Sequence, residues 1–162
     1  MHIVITGGTG LVGQALAQHF RPNHQVTPYG REAFGPDFDL TTPLQQADVL
    51  IHLAGANIGK RWSPGYEDTL WHSRIDTTRA LANTLSAMAP EARPHKVISV
   101  SAIGFYPEND CQHPQDEHQT QPGQHFLGQL SQAWEHESKQ LAEDVLIFRL
   151  GVVLAAHDGA LA

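Results

Sequence analysis

Short apolar runs alternate along the chain with longer stretches in which apolar residues recur every three or four positions. The short runs are typical of strands, and the periodic stretches are typical of helices that bury one face. The first run precedes a glycine cluster, after which helical spacing continues to Phe20. The pattern predicts strands over 2–5, 25–29, 48–53, 96–101 and 145–150, and helices over 11–20, 66–88 and 126–142.

The order of these elements predicts a parallel sheet. Strands that alternate with helices form crossover units, which join parallel strands and place the helices on both faces of the sheet. The runs at 48–53 and 96–101 are apolar with little alternation, as expected of strands covered on both sides. We expect a single doubly wound α/β domain over residues 1–162, with loops over 30–38 and 104–123.

A glycine-rich segment at residues 6–13 joins the first strand to the first helix. Its glycines fit two dinucleotide-binding spacings, which begin at Gly7 or at Gly8 and continue with Gly10 and Gly13. Such glycines allow a sharp turn, close approach of the backbone to a pyrophosphate and close packing of the helix on the strand. An ordinary tight turn is the competing interpretation, but the strand before it and the helix after it favour dinucleotide binding.

The position of this loop is typical of a Rossmann fold. We therefore expect six parallel strands in the order 3-2-1-4-5-6, with the cofactor at the switch point between strands one and four. A P-loop is excluded, because no Gly-Lys-Ser or Gly-Lys-Thr follows at the required spacing.

The end of the second strand bears on which dinucleotide binds. An acidic residue there normally holds a free ribose 2′-hydroxyl, but this strand ends in Tyr29-Gly30-Arg31. A guanidinium suits a 2′-phosphate, because its donors fork onto phosphate oxygens. Arg31 therefore predicts NADP(H) rather than NAD(H). Two alternatives stay open, a solvated loop arginine and a pairing of Arg31 with Glu32.

Composition and charge limit the classes of partner that the chain is expected to bind. The chain of 162 residues has a formal net charge of −7 and an isoelectric point near 5.8, which argues against nucleic acid and membrane surfaces as partners. The N-terminal residues predict no signal peptide, and the single cysteine, Cys111, excludes an internal disulfide. These features predict a cytoplasmic protein. The eleven histidines are scattered, and even the set around His113, His118 and His125 matches no metal-ligand spacing, so no metal site is expected.

Four segments resemble the extended short-chain dehydrogenase/reductase superfamily. They are residues 6–13, 52–58 (HLAGANI), 99–106 (SVSAIGFY) and 149–154 (RLGVVL), and the pair Ser73-Arg74 agrees with them. Within the superfamily they are most similar to the sugar-nucleotide epimerase subgroup, the epimerase family proteins. The resemblance covers essentially the whole chain.

The resemblance implies a set of cofactor contacts. The glycine loop would hold the pyrophosphate, Gly30 and Arg31 the adenosine ribose phosphate, and Arg74 would face the cofactor from the long helix. Strand core and a solvated helix face are the competing interpretations for Leu53, Ala54 and Arg74. The implied cofactor residues are Gly7, Gly10, Leu11, Val12, Gly13, Gly30, Arg31, Asp39, Leu40, Leu53, Ala54, Gly55, Arg74 and Val152.

The superfamily's catalytic pair is missing. Its members use a tyrosine as acid/base with a lysine four residues later, and no Tyr-x-x-x-Lys occurs in this chain. Ser101 matches the position of the catalytic serine, and Tyr106 is the nearest phenol. We therefore predict Ser101 and Tyr106 as catalytic residues, although Tyr106 as a packing residue fits the sequence equally well.

Two functions follow as expectations. The first is an NADP(H)-dependent oxidoreductase or epimerase acting on a small polar substrate such as a nucleotide sugar. The second is a non-catalytic NADP(H)-binding or redox-sensing protein. The resemblance also implies a substrate-binding part beyond residue 162. We expect exposed apolar residues along 145–154, and with them a tendency to form a homodimer.

Overall fold

Each predicted apolar run forms a strand, and the periodic stretches form helices. The structure is a computed structural model that describes residues 1–108, 112 and 114–155. The elements are β1 (His2–Thr6), α1 (Leu11–Phe20), β2 (Gln25–Tyr29), α2 (Thr41–Gln45), β3 (Val49–His52), α3 (Pro64–Ala87), β4 (Lys96–Ala102), α4 (Phe126–Ser138) and β5 (Val145–Leu150). Short 3-10 helices occupy Arg31–Phe34, Pro90–Ala92 and Ile103–Phe105.

The strands lie side by side in the order β2-β1-β3-β4-β5, and every neighbouring pair is parallel. In the register of β1 and β3, Thr6 pairs with His52, the last residue of each strand. The carboxyl ends of the strands therefore meet at one edge of the sheet, where ligands bind in folds of this kind. The predicted parallel α/β architecture is confirmed.

The prediction of six strands is wrong for the described residues, because the strand expected at the outer edge beyond β2 is not formed. Between β2 and β3 the chain forms the 3-10 helix Arg31–Phe34 and α2 instead. The Leu44 N–H donates to the Leu40 carbonyl at 3.2 Å, which is the i to i+4 hydrogen bond of a helix, and both side chains are buried in the core. Pro36 and Pro43 also remove backbone donors that a strand would use.

Helices cover the two faces of the sheet separately. On one face, Ile5 packs with Ala17 of α1. On the other, Leu50 packs with Leu81 of α3, and a second cluster surrounds Trp134 of α4. The cores on both sides explain why the central strands are apolar throughout.

The helix bounds differ slightly from the prediction. α3 begins at Pro64, where the Ser63 side chain caps it by accepting a hydrogen bond from the Tyr66 N–H at 3.3 Å. α4 ends at Ser138 rather than at 142, because Leu141 turns into the core below β3 and β4. In the part of the chain that the structure describes, no helix is long and apolar enough to cross a membrane.

β5 carries the exposed apolar side chains that the sequence predicted. Leu146 and Phe148 are 44% and 53% exposed, and Val152 and Leu154 just beyond the strand are 70% and 59% exposed. These side chains form an apolar strip at the β5 edge of the sheet.

Candidate functional site

The glycine-rich loop turns tightly from β1 into α1. Gly7 has a φ of +72°, and a Cβ there would lie 2.6 Å from the backbone carbonyl of Leu53. A Cβ on Gly13 would lie 2.5 Å from the carbonyl oxygen of Gly7. Both positions therefore require glycine, one for the turn beside β3 and the other for the packing of α1 on the loop.

The N-terminus of α1 is free to receive an anion. Its N-cap is Gly10, which has no side chain that could accept a hydrogen bond from the first turn. The N–H of Gly10 itself donates to the Gly7 carbonyl at 3.1 Å. The first turn, which includes Leu11 and Val12, thus presents N–H groups and the positive end of the helix dipole.

A cleft of about 670 Å³ opens beside this N-terminus, at the carboxyl ends of β1 and β3. A volume of this size is typical of cofactor sites. Together with the glycine geometry and the open helix end, it fits a dinucleotide. Seven of the predicted cofactor residues line it, namely Gly7, Gly10, Gly30, Arg31, Leu53, Ala54 and Gly55.

One face of α3 forms a wall of the cleft that the sequence analysis missed. Thr69, Ser73 and Thr77 line it at intervals of four residues, so they share one helix face. Ser73 Oγ accepts a hydrogen bond from the Ala56 N–H at 2.9 Å, which fixes the segment after β3 against the helix. This spacing of small polar residues is the signal that could have identified the wall. The other lining residues missed are Thr9, Phe34, Ala56, Asp68 and His72.

The tip of β2 places Arg31 at the cleft with an exposed side chain. Glu32 does not pair with Arg31 among the ion pairs of the described residues. Its Oε1 instead accepts a hydrogen bond from the Gly30 N–H at 2.7 Å. The alternative in which the two side chains neutralise each other is therefore not what the structure contains.

Arg74 lies behind the cleft wall rather than on its surface. Its guanidinium donates to the carbonyl oxygens of Leu70 at 3.2 Å and Ala56 at 3.1 Å, and it lies 5.2 Å from the ring centre of Trp134. Burial lowers the pKa of Arg74 from its ordinary value. A Cβ on Gly55 would lie 3.1 Å from the guanidinium carbon, so this cation directly backs the cleft-lining backbone.

A buried hydrogen-bond chain runs beneath the cleft floor. His52 at the end of β3 contacts Thr6 Oγ1 at 2.7 Å through Nδ1 and Thr78 Oγ1 at 2.8 Å through Nε2. Thr78 in turn donates to the Arg74 carbonyl at 2.6 Å. These hydrogen bonds tie Thr6, the first residue of the glycine-rich segment, to the helix that carries Arg74. Burial lowers the pKa of His52 to about 4.

Ser101 lies at the carboxyl end of β4 and is 2% exposed. Its Oγ has no hydrogen-bond partner among the residues that the structure describes. A buried hydroxyl without a partner is unusual in a folded protein, because leaving it unpaired carries a desolvation penalty. In the β4–β5 register Ser101 pairs with Arg149.

Arg149 contacts several residues around Tyr106. Its guanidinium donates to both carboxylate oxygens of Glu135, at 2.7 Å and 3.0 Å, and its central carbon lies 3.6 Å from the ring centre of Phe105. It lies 5.1 Å from the Tyr106 ring centre. The hydrogen bonds to Glu135, followed by the nearby Tyr106 side chain, raise the pKa of Arg149 above its usual range. The two predicted catalytic residues thus share Arg149 as a neighbour.

Seven predicted cofactor residues lie outside the lining of the cleft. Leu11, Val12 and Gly13 belong to the first turn of α1 beside it, and Arg74 lies behind its wall. The other three are Asp39, Leu40 and Val152. Asp39 accepts a hydrogen bond from the Thr41 N–H at the start of α2, and the Thr41 side chain, followed by this N–H, lowers the pKa of its carboxyl. Leu40 is buried in the core. Val152 is exposed beyond the end of β5. The physical reason is that the segment after β2 folds into helices, which turn Leu40 inward.

Histidine and acidic side chains do not assemble into a metal-binding group of three or more within the described residues. His125 instead caps α4, where its Nδ1 accepts a hydrogen bond from the Gly128 N–H at 3.1 Å. His113 and Cys111, and the tail over 156–162, lie outside the described residues.

Residues 3–127 match the NAD dependent epimerase/dehydratase family. The chain belongs to this family. The match runs from β1 to the start of α4 and includes every residue that lines the cleft. The resemblance that the sequence motifs indicated is confirmed.

The curated relatives of this chain include epimerase family proteins. That of Staphylococcus aureus (strain NCTC 8325 / PS 47) is 31% identical over 175 aligned residues, which cover 98% of this chain and 57% of the relative. That of Staphylococcus haemolyticus (strain JCSC1435) is 29% identical over 174, with the same coverage. The chain therefore spans about 57% of the length of these relatives.

Solved structures of epimerases share this fold. The human epimerase family protein SDR39U1, solved with NADPH, matches with a TM-score of 0.81 and 29% identity over 99% of this chain and 57% of its own. The nucleoside-diphosphate sugar epimerase of Corynebacterium glutamicum matches with a TM-score of 0.78 and 28% identity over 99% of this chain and 36% of its own.

Proposed function

We propose that this chain binds NADP(H) in the cleft and forms the cofactor-binding part of an oxidoreductase or epimerase. The observation that carries the proposal is the N-terminus of α1, which Gly10 leaves uncapped beside the cleft. A pyrophosphate is the anion that such a helix end accommodates in this fold. The NADPH in the structure of the human relative supports the same cofactor.

Arg31 is the residue that favours NADP(H) over NAD(H). It lines the cleft with an exposed guanidinium, and no ion pair with a described carboxylate neutralises it. Such a group can fork onto the oxygens of a 2′-phosphate, which only the phosphorylated cofactor carries. Arg74 adds a second positive charge behind the cleft, close to the backbone of Gly55.

Ser101 and Tyr106 are the proposed catalytic residues for a small polar substrate. A bound nicotinamide dinucleotide supplies the hydride acceptor or donor. The Ser101 hydroxyl, buried without a partner, would hydrogen-bond the reacting substrate oxygen. Tyr106 would donate a proton to that oxygen, and the Arg149 guanidinium beside it would stabilise the resulting phenolate.

A nucleotide sugar is the proposed substrate class. The support is that the Corynebacterium glutamicum relative is a nucleoside-diphosphate sugar epimerase. In an epimerisation the cofactor would supply the hydride acceptor and then the hydride donor at one carbon, and Tyr106 would take up the hydroxyl proton and return it, so no net cofactor is consumed. A product assay, rather than NADPH absorbance, is therefore the measurement that detects it.

A non-catalytic NADP(H)-binding or redox-sensing protein is the second candidate. The observation in its favour is the start of α4, where the family's tyrosine and lysine would lie. Leu127 and Ser131 occupy two positions there at four-residue spacing, and Ser131 is buried. Neither side chain can serve as a phenol acid or as a permanent cation.

Calorimetric titration with NADP⁺ and NAD⁺ tests the binding proposal, with Gly10→Asp as the decisive variant. An aspartate there would cap α1 and fill the anion site with a negative charge, and the extended backbone of Gly10 with only one nearby atom accepts a Cβ. We expect NADP⁺ affinity to fall at least about a hundredfold, while the melting temperature is unchanged or higher. Undiminished affinity in Gly10→Asp would place the pyrophosphate elsewhere.

Product assays separate the two candidate functions. Nucleotide sugars and small carbonyl compounds would be tested with this chain and with the full-length Staphylococcus aureus relative. Turnover that Ser101→Ala abolishes supports the enzyme, whereas cofactor binding without turnover in either protein supports the sensor.

Location and partners complete the proposal. We place the protein in the cytoplasm and give it a small-molecule substrate. Neither nucleic acid nor a membrane is proposed as a partner, since the net charge is −7. The apolar strip at the β5 edge supports a homodimer, which the mass in solution would test.

A further inference from the structure

The carboxylate of Glu32 folds back over the last residues of β2. Its Oε1 accepts the hydrogen bond from the Gly30 N–H at 2.7 Å. A Cβ on Gly30 would lie 2.5 Å from Oε2 and 3.1 Å from Oε1, so both carboxylate oxygens lie against this glycine. Although the sequence has no acidic residue within β2, the fold brings one to its tip.

This carboxylate lies on the side of Gly30 that faces the glycine-rich loop. The methyl carbon of Thr9 would lie 3.0 Å from the same Cβ, and both Thr9 and Gly30 line the cleft. With a pyrophosphate at the N-terminus of α1, the adenosine ribose of a dinucleotide lies between that loop and the tip of the second strand. Glu32 therefore adjoins the position of the ribose 2′-oxygen.

The two forms of the cofactor make opposite demands on this position. A 2′-hydroxyl is a donor and is stabilised by an acceptor such as a carboxylate. A 2′-phosphate carries negative charge and needs donors, of which the Arg31 guanidinium is one and the Gly30 N–H would be another. The Glu32 carboxylate already accepts the hydrogen bond of the Gly30 N–H, and its negative charge repels a phosphate. The Arg31 guanidinium attracts the phosphate.

We propose that Glu32 is a specificity-determining residue of the dinucleotide site, which opposes Arg31 and limits the preference for NADP(H). This inference rests on the proposed function of dinucleotide binding. Binding of NADP(H) requires the carboxylate to leave Gly30, and binding of NAD(H) does not. Arg31 and Glu32 together set the ratio of the two affinities.

Calorimetric titration of the parent chain, Glu32→Gln and Glu32→Ala with NADP⁺ and NAD⁺ tests the inference. Glutamine keeps an acceptor for the Gly30 N–H and removes only the charge. Glu91→Gln is the matched control, because Glu91 is exposed on the 3-10 helix Pro90–Ala92 and does not line the cleft. Glu32 is itself exposed, so these variants are expected to fold.

We expect Glu32→Gln to strengthen NADP⁺ binding roughly tenfold and to leave NAD⁺ binding unchanged or weaker, because one like charge near the phosphate is removed. Glu32→Ala should strengthen NADP⁺ binding at least as much, since it also frees the Gly30 N–H. Raising the salt concentration to about 1 M should reduce the gain, because exposed charges are then screened. Glu91→Gln should change neither affinity.

The possible results distinguish failure of the specificity role of Glu32 from failure of dinucleotide binding itself. If the parent binds a dinucleotide and Glu32→Gln leaves the ratio of NADP⁺ to NAD⁺ affinity unchanged, the specificity role is overturned and dinucleotide binding stands. If the parent and all variants bind neither dinucleotide, the proposed function is overturned as well.

Discussion

His52 Nδ1 lies 2.7 Å from Thr6 Oγ1, and the hydrogen bonds on its other side determine which ring nitrogen carries the proton. Thr78 Oγ1 donates its only hydrogen to the Arg74 carbonyl, so it must accept from His52 Nε2–H. His52 Nδ1 then accepts from the Thr6 hydroxyl. The hydrogen bonds therefore hold the imidazole in a single tautomer, and its burial keeps it neutral.

We expect protonation of this histidine to destabilise the fold. The folded pKa of about 4 lies below the ordinary value of 6.5, so the stability contributed by neutral His52 is complete above pH 6.5 and is lost as pH falls toward 4. Over that window the loss is about 3 kcal/mol.

Urea unfolding of the parent chain and His52→Asn between pH 7 and pH 4 measures this loss. The stability difference between the two proteins should shrink as pH falls, whereas His19→Asn, an exposed histidine of α1, should track the parent. A difference that stays constant with pH would contradict a neutral His52.

Arg31→Ala tests the phosphate contact. We expect the variant to bind NADP⁺ more weakly by about 1.5–3 kcal/mol, because one charge-assisted contact to the 2′-phosphate is lost, with little change for NAD⁺. Calorimetric titration measures both, and Arg21→Ala at the end of α1 removes an exposed charge away from the cleft lining as a control. Equal affinity of the parent for the two cofactors would refute the preference.

Tyr106→Phe tests the proposed acid. In a protein with catalytic turnover we expect the turnover number to fall roughly 10²–10⁴-fold, the usual contribution of a positioned proton donor. Cofactor affinity should be unchanged, since Tyr106 does not line the cleft. Turnover that survives the loss of the phenol would leave Tyr106 a packing residue beside Phe105 and Arg149.

Two glutamates of α4 offer a matched comparison of ion pairs. Glu135 and Arg149 have side chains only 10% and 17% exposed, whereas the partner of Glu137, Arg79, is 54% exposed. We expect Glu135→Gln to lower the free energy of unfolding by about 3 kcal/mol, because it leaves a partly buried guanidinium without its carboxylate.

Glu137→Gln should cost about 1 kcal/mol or less, because water reaches the Arg79 side of this pair and screens it, although Glu137 itself is only 16% exposed. Chemical denaturation of the two variants measures the contrast. Equal losses would mean that burial does not distinguish the two pairs.

The sequence predicted those features that depend on local pattern. The apolar runs, the helical periodicity and the glycine spacing each reflect neighbours within a few residues, so β1, α1 and the loop between them could be predicted. The path from Arg31 to Asp48 could not, because its apolar residues turn inward through contacts with distant elements such as Leu81.

The same reason separates the predicted from the missed site residues. The residues of the glycine loop are close together in the chain, but Thr69 and Ser73 reach the cleft only because α3 packs beside β3. Glu32 is a neighbour of Arg31 in sequence, yet its carboxylate turns toward Gly30 through the local 3-10 geometry. Adjacency alone suggested an ion pair that the structure does not contain.

The neighbours of the site glycines also determine which substitutions natural variation can tolerate. At Gly7 and Gly13 an added methyl group meets backbone atoms, and no second mutation can remove a backbone. At Gly55 the nearest atoms belong to the Arg74 side chain, so a larger residue could persist beside a compensating change at position 74. A suppressor screen should recover revertant pairs for Gly55, while Gly7 and Gly13 should yield only true revertants.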